Sequence, residues 1–371
     1  MFKQNQIMTK TIVLCLVIAL ITAALAGCGT QKANTGPSAA PPQTRTIVDH
    51  AGRNVTVPGE INKVFSTSPV GMILMYTLAP EKLIAWSFEI GQEYKKFILP
   101  GCRDLPDLGG WYANKTCNTE ELLKIGPDII ICLGDQTQVS QADRIQQQLN
   151  IPVLVLNDSL TTLDKTYEFL GDLLGTKERA AELAAYCRES VNEVAEKAKL
   201  IPEEKRVRVY YAEGTQGLDT DPKGSRHTEV LDLVGGINVA DVPMKGGMGM
   251  TSVSLEQVLS WDPDLILTAT LGGLGGQEGA LYKSITTDPK WAKLKAVKNY
   301  KIYDIPERPF NWFDRPPSAN RIIGVKWLAN LLYPDIFEYN IKAEMKEFYA
   351  EFYHYNLSDQ DIEDLLIRSK A

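Results

Sequence analysis

Three arginines and a set of aromatic side chains fall where they could grip a solute. Arg226, Arg308 and Arg315, with Trp86, Phe88, Trp111, Tyr112, Phe310, Trp312 and Phe313, sit in connections that follow short apolar, strand-like runs. Arginine binds carboxylates through two parallel hydrogen bonds and keeps its charge at every relevant pH. Aromatic faces add contact area at little entropic cost. Together they suit a large ligand with a flat or greasy body and anionic groups. Gly109-Gly110 precedes Trp111 and Tyr112 and permits an exposed turn. Arg226 and His227 follow Gly224-Ser225 at an expected helix start, and a helix N-terminus beside a guanidinium favours anions. His227 reads as a cap or loop-holding group rather than a metal ligand, since the other histidines, His50 and His354, lie in unrelated segments. Arg315, between Asp314 and two prolines, reads as a structural ion pair. Trp86, Phe310 and Phe313 suit a core as well as a pocket. The expected ligand contacts are Trp86, Trp111, Tyr112, Arg226, His227, Arg308 and Trp312, with no metal ligand and no cofactor.

Signs of catalysis are few. There is no G-x-S-x-G nucleophile elbow and no His-rich metal motif. The glycine-rich run Leu271–Gly279 lacks the Gly-Lys-Ser/Thr ending of a phosphate loop and reads as a flexible cleft loop. A carboxylate pair could still work on a substrate, so an exported chelatase or hydrolase is the alternative from another class. The formal net charge is −7 with no basic block, which argues against nucleic acid as a partner.

These residues need a frame, and a repeat supplies it. Asn118–Ile131 (NTEELLKIGPDIII) returns as Ser254–Leu267 (SLEQVLSWDPDLIL). Each copy opens on a cap candidate, Asn118 or Ser254, with Glu121 or Gln257 at capping-box spacing. Each then runs through a short helix and Pro-Asp into a buried-type strand, so two related lobes and a cleft are expected. A hairpin is expected around Asp49–Asn54, with strands at Val64–Ser66, Leu83–Trp86, Ile129–Cys132, Val153–Leu156, Val207–Tyr211, Leu265–Thr268 and Lys301–Asp304. Helices alternate with them, so the sheets should be mainly parallel. Between the lobes, Leu183, Cys187, Val191 and Val194 form an apolar stripe at helical spacing. A helix capped by Thr176 and running from Lys177 to near Leu200 would be about 36 Å long, ending before Pro202. A stiff rod of this kind allows modest flexing rather than a clamshell swing.

The N-terminus reads as a leader. Lys3 and Lys10 precede an apolar run, Thr11–Ala26, that ends in Leu25-Ala26-Gly27-Cys28. That order is a bacterial lipobox, which places a diacylglycerol on Cys28 and leaves the mature chain tethered outside the cytoplasmic membrane. Residues 28–45 form a flexible tether with almost no large apolar residue. The expected parts are a signal peptide at 1–27, lobes at 46–161 and 203–371, and a linker region at 162–202. In an exported protein a Cys102–Cys117 disulfide is plausible; Cys132 and Cys187 read as buried small hydrophobes.

The chain resembles the substrate-binding lipoproteins of ABC importers for ferric siderophores, haem and cobalamin. The likeness rests on TIVDHAGRNVTVP from Thr46, the two Pro-Asp repeats, YAEGTQGLDTD from Tyr211, HTEVLDLVGGINVA from His227 and NWFDRPPSANRIIGVKWLANLLYP from Asn311. It implies an α/β fold of two Rossmann-like lobes, each a mainly parallel central sheet flanked by helices, joined by one backbone helix. It also implies a non-enzymatic monomer that delivers its solute to a permease dimer driven by a cytoplasmic ATPase. Glu120 and Glu256 match the glutamates that dock on the permease in that family. An iron(III) chelate of the siderophore type is the leading ligand, with corrinoid or haem next and molybdate or tungstate third.

Overall fold

The computed structural model describes residues 43–244, 250–269 and 278–370. Cys28, the tether up to residue 42 and most of the glycine-rich run lie outside the described residues. The chain opens with an antiparallel hairpin of β1 (Thr44–Val48) and β2 (Asn54–Pro58). Asp49 closes its turn by accepting from the N–H groups of Ala51 and Arg53.

Two parallel sheets follow. The first has the order β3 (Val64–Ser66), β4 (Ile129–Leu133), β5 (Val153–Leu156). The short antiparallel β7 (Asp219–Thr220) and β9 (Thr251–Ser252) pair outside the main sheets. The second sheet has the order β11 (Ile302–Asp304), β10 (Leu265–Thr268), β6 (Arg208–Ala212), β8 (Ile237–Asn238). β3, β4 and β5 correspond to β6, β10 and β11 in order and direction. Every residue of β4 and β5 is buried, as expected of parallel strands covered on both faces.

The repeat holds down to single hydrogen bonds. The Asn118 side chain accepts from Glu121 N–H and the Ser254 side chain from Gln257 N–H, both at 3.2 Å. The helices Thr119–Ile125 and Leu255–Trp261 each end on a left-handed residue, Gly126 or Asp262. Then the carboxylate of Asp128 accepts from Lys63 N–H at 2.8 Å, ahead of β3, while that of Asp264 accepts from Arg208 N–H at 3.0 Å, at the start of β6. The aspartate of each Pro-Asp therefore clamps two neighbouring strands in register.

Two expectations need correction. Leu83–Trp86 is not a strand: it makes single bridges at Val64–Leu83 and Trp86–Asp107. It leaves β3 because Trp86 N–H bonds Pro106 O at 2.8 Å, and Leu108 N–H bonds Trp86 O. Cys102 and Cys117 are both free thiols. The Cys102 sulfur faces inward and donates to Pro80 O at 3.4 Å, so closeness in sequence does not bring the two together. Burial pushes the thiols up to about 11 for Cys102 and about 12 for Cys117, so both stay protonated at neutral pH.

The linker is two helices, Leu163–Leu174 and Lys177–Ala198, separated at Gly175, where φ is 75°. Leu183, Cys187, Val191 and Val194 are buried as the stripe requires. Thr176 stands at the N-cap, yet its side chain makes no cap bond. The end of the chain then returns to the first half: Tyr76, in the helix Pro69–Leu78, donates its hydroxyl to Tyr353 O at 3.0 Å. Tyr353 is the last residue of the helix Ile341–Tyr353. Phe97 packs edge-on against Tyr349 and Tyr355.

Gly324 lies in the helix Arg321–Leu332, where the helix crosses the backbone of Trp312; a Cβ there would stand 1.7 Å from Trp312 O. Gly324→Ala should lower stability by about 3 kcal/mol or more, read from denaturant unfolding. A loss under about 1 kcal/mol would contradict this packing.

Candidate functional site

The carboxyl ends of both parallel sheets open on one cavity of about 640 Å³, the place where open α/β sheets bind ligands. From the first half it takes Thr67, Ser68 and Pro69 after β3, Leu133 at the end of β4 and Asp158 after β5. From the second half it takes Arg226, His227, Glu307, Phe310, Asn311 and Arg315.

Trp111 and Tyr112 form part of the wall, as the sequence suggests. Trp111 is fixed by its own backbone: its N–H donates to Thr67 O at 2.8 Å, and its carbonyl accepts from Gln141 Nε2 at 2.8 Å. Its ring meets Phe65 edge-on. The Tyr112 hydroxyl donates to Ser87 O at 2.9 Å, and burial pushes its ionisation up to about 12, so it stays neutral. Both depend on the glycine pair. Gly109 has φ 66°, and a Cβ on Gly110 would stand 2.4 Å from Thr67 O.

Arg226 and His227 also line the cavity. Ser225 pins their backbone, its hydroxyl accepting from His227 N–H at 3.2 Å and donating to Asp221 at 3.1 Å. Arg226 is ion-paired with Asp158. His227 Nδ1 is hydrogen-bonded to Asp314. Asp314, Asp221 and Glu213 are fully buried, and Arg315 sits among them. Its Nε donates to Glu213 at 2.7 Å, and the guanidinium also pairs with Asp221 and Asp314. The structural ion pair expected for Arg315 is thus present and larger than one pair. Burial holds the Glu213 carboxyl well above the usual range, against the opposing pull of Arg315. Donor atoms of Asp221, His227 and Asp314 lie within 4.8 Å of one another, a spacing that a metal ion could use. The guanidinium beside them already supplies the positive charge.

Three expected contacts lie elsewhere. Trp86 is a core residue whose indole donates to Cys102 O at 2.8 Å. Trp312 is fully buried, with its indole 3.4 Å from the Tyr349 hydroxyl. Arg308 turns away from the cavity and donates to Glu278 and to Asp364 O, both at 3.2 Å. Conversely, Asp158, Gln138, Gln141, Arg144, Lys115 and Glu307 line the cavity without having been singled out. Asp158 and Glu307 follow β5 and β11, so the strand-end rule applied to every strand would have found both. Glu120 and Glu256 stand on the surface at matching positions of the two repeat helices. Glu120 pairs with Lys124 at 3.1 Å.

A protein-family model described as "Periplasmic binding protein" matches residues 106–309. That span is more than half of the chain and holds part of the cavity wall, from Trp111 to Pro309. The chain belongs to the periplasmic binding protein family. It is similar to the molybdate-binding protein MolA of Haemophilus influenzae, with 27% identity over 338 residues, 83% of this chain and 91% of the relative. It is 26% identical over 334 residues to the uncharacterized ABC transporter substrate-binding lipoprotein YvrC of Bacillus subtilis, covering 86% of this chain and 97% of the relative. Among solved structures, an ABC transporter solute binding protein from Sulfurospirillum deleyianum superposes with a TM-score of 0.80 and 33% identity, covering 87% of this chain and 99% of that one. The bilobed α/β fold is therefore that of the family, and the protein is a periplasmic-binding protein of ABC importers. Its relatives are substrate-binding transport proteins rather than enzymes. No helix among the described residues is long and apolar enough to cross a membrane.

The Arg315 cluster gives a sharp test. Arg315→Met leaves Glu213, Asp221 and Asp314 buried without their cation, which should destabilise the fold by about 3 kcal/mol or more at pH 7. Arg315 opposes the upward push of burial on the Glu213 carboxyl, so removing the cation raises that carboxyl further. A raised carboxyl is penalised while ionised, and the penalty fades once the pH falls below its folded-state value. The gap between variant and parent should therefore narrow from pH 7 towards pH 5 in denaturant unfolding. A gap independent of pH would mean that the guanidinium acts by packing alone.

Proposed function

We propose that the protein is a lipid-anchored receptor that captures an iron(III) chelate of the siderophore type and hands it to an ABC permease. The supporting observation is the cavity: about 640 Å³, with Trp111, Tyr112, Phe88 and Phe310 as apolar surface and Arg226, Arg144 and Lys115 as cationic groups. Pockets of about 300–1,000 Å³ suit solutes of drug size. A bare tetrahedral oxyanion, only a few times the ~30 Å³ share of a water molecule, would leave most of this space empty. Anchoring is assigned to Cys28 by its leader sequence.

A second reading, molybdate or tungstate, draws on the likeness to the molybdate-binding protein of Haemophilus influenzae. For it, Thr67, Ser68, the N-terminus of the helix Pro69–Leu78 and Arg226 offer a compact donor set. Calorimetry of the protein without its leader separates the two. Ferric siderophores, haemin, cobalamin, molybdate and tungstate are titrated in turn. Submicromolar binding of a ferric siderophore with none of molybdate is the expected result; the reverse order replaces the first reading with the second. Trp111→Ala should weaken binding of whichever probe binds by roughly tenfold, and unchanged affinity would place the solute elsewhere.

Docking is assigned to Glu120 and Glu256, one on each repeat helix. The side chain of Glu120 is 84% exposed. Paired carboxylates of this kind register a two-lobed protein on a two-fold partner and suppress misdocking. Glu120→Ala combined with Glu256→Ala should leave solute affinity within about twofold and lower cellular uptake by roughly tenfold or more. Full uptake by the double variant would remove both residues from the interface.

A further inference from the structure

We propose that Asp158 is an internal counter-anion: it holds Arg226 while the cavity is empty, and an anionic solute must displace it. The inference rests on the anionic solute proposed above and names the residue that sets the threshold for entry.

Both partners hang from fixed backbone. Ser225 pins the turn that carries Arg226. Asp158 has its carbonyl gripped by the buried Arg321, whose Nη2 donates to it at 2.7 Å. Only the side chains are free to change partners, and they meet at the cavity wall. They are unequally wetted. The Arg226 side chain is 45% exposed and can swing to a solute, whereas that of Asp158 is 9% exposed and sits in the wall. An exposed guanidinium gains little from one ion pair and gives it up readily. A carboxylate in the wall that loses its side-chain cation, the only one among the described residues, is left poorly solvated. A weak or singly charged anion therefore offers Arg226 no more than Asp158 already does. A solute with two acceptor oxygens in a fork-shaped arrangement replaces the pair and makes good the loss.

The exchange also reaches the linker. Asp158 stands between β5 and the linker helices. The next two residues are held from the second half, because Glu229 accepts from the Ser159 hydroxyl and from Leu160 N–H, both at 3.1 Å. Capture of Arg226 by a solute loosens one of the three grips on this segment, those of Arg226, Glu229 and Arg321.

The test compares the parent with Asp158→Asn, Arg226→Gln and the double variant, each first shown to unfold cooperatively. Two readouts are taken. One, free of any solute, is the rate at which phenylglyoxal modifies Arg226, followed by peptide mass. The other is the affinity for ferric citrate and for sodium molybdate, followed by Trp fluorescence. Asp158→Asn should raise the modification rate severalfold and tighten binding of the anionic probe by roughly fivefold. Arg226→Gln should weaken binding, and adding Asp158→Asn to it should then change little. An unchanged modification rate in Asp158→Asn overturns the proposal, as does weaker binding by that variant. A faster modification rate with no binding of either probe by any variant upholds the internal pair and overturns the anionic reading instead.

Discussion

A guanidinium with almost no access to water helps to tie the two halves of this protein together. Arg321 is 1% exposed, and it meets the Glu229 carboxylate, Asp158 O and Ser318 O. A buried charge of this kind is tolerated only when its donors are spent on good partners. Here they reach three separate stretches of chain: the end of the first sheet, a helix of the second half and the loop before its own helix. Glu229 in turn receives Ser159 and Leu160. The cavity lies beside this knot, so its shape depends on the same few bonds.

A second buried cluster sits under the cavity. Arg315 is enclosed by Glu213, Asp221 and Asp314, and Asp314 also receives His227. Its charge is already spent on three carboxylates, so it orders the floor rather than drawing in an anion. The cationic groups left for a solute are the more exposed ones. This division of labour between a neutralised arginine below and a half-exposed one above is invisible to any count of basic residues.

The frame was legible because its signals are local. A cap, a helix, a Pro-Asp and a strand repeat within fourteen residues; the caps bond inside the repeat, and the aspartates reach the neighbouring strand. The linker stripe of Leu183, Cys187, Val191 and Val194 was readable for the same reason. The site was read only in part. Trp111, Tyr112, Arg226 and His227 line the cavity, and they lie beside glycines that force the chain to turn. Trp86 and Trp312 follow strand-like runs just as closely, yet they are core. What buries them comes from far along the chain: Phe310 lies against Trp86, and Trp327 and Tyr349 against Trp312. Arg308 is drawn off by Glu278 and a carbonyl near the C-terminus. Cys102 and Cys117 fail for a similar reason, since separation along the chain says nothing about which way a thiol points.

The return of the last long helix to the first half has a temporal consequence. Tyr76 bonds within the first half to Phe97 and Leu99, but its hydroxyl also donates to Tyr353 O, 277 positions later. Long-range closure of this sort slows folding, since the entropy of the intervening loop is lost before the contact repays it. Until the last helices are made, the helix Pro69–Leu78 lacks the part of its cover that Ile341–Tyr353 supplies. A chain cut short before its final helices would therefore lose one wall of its first half as well as its own tail.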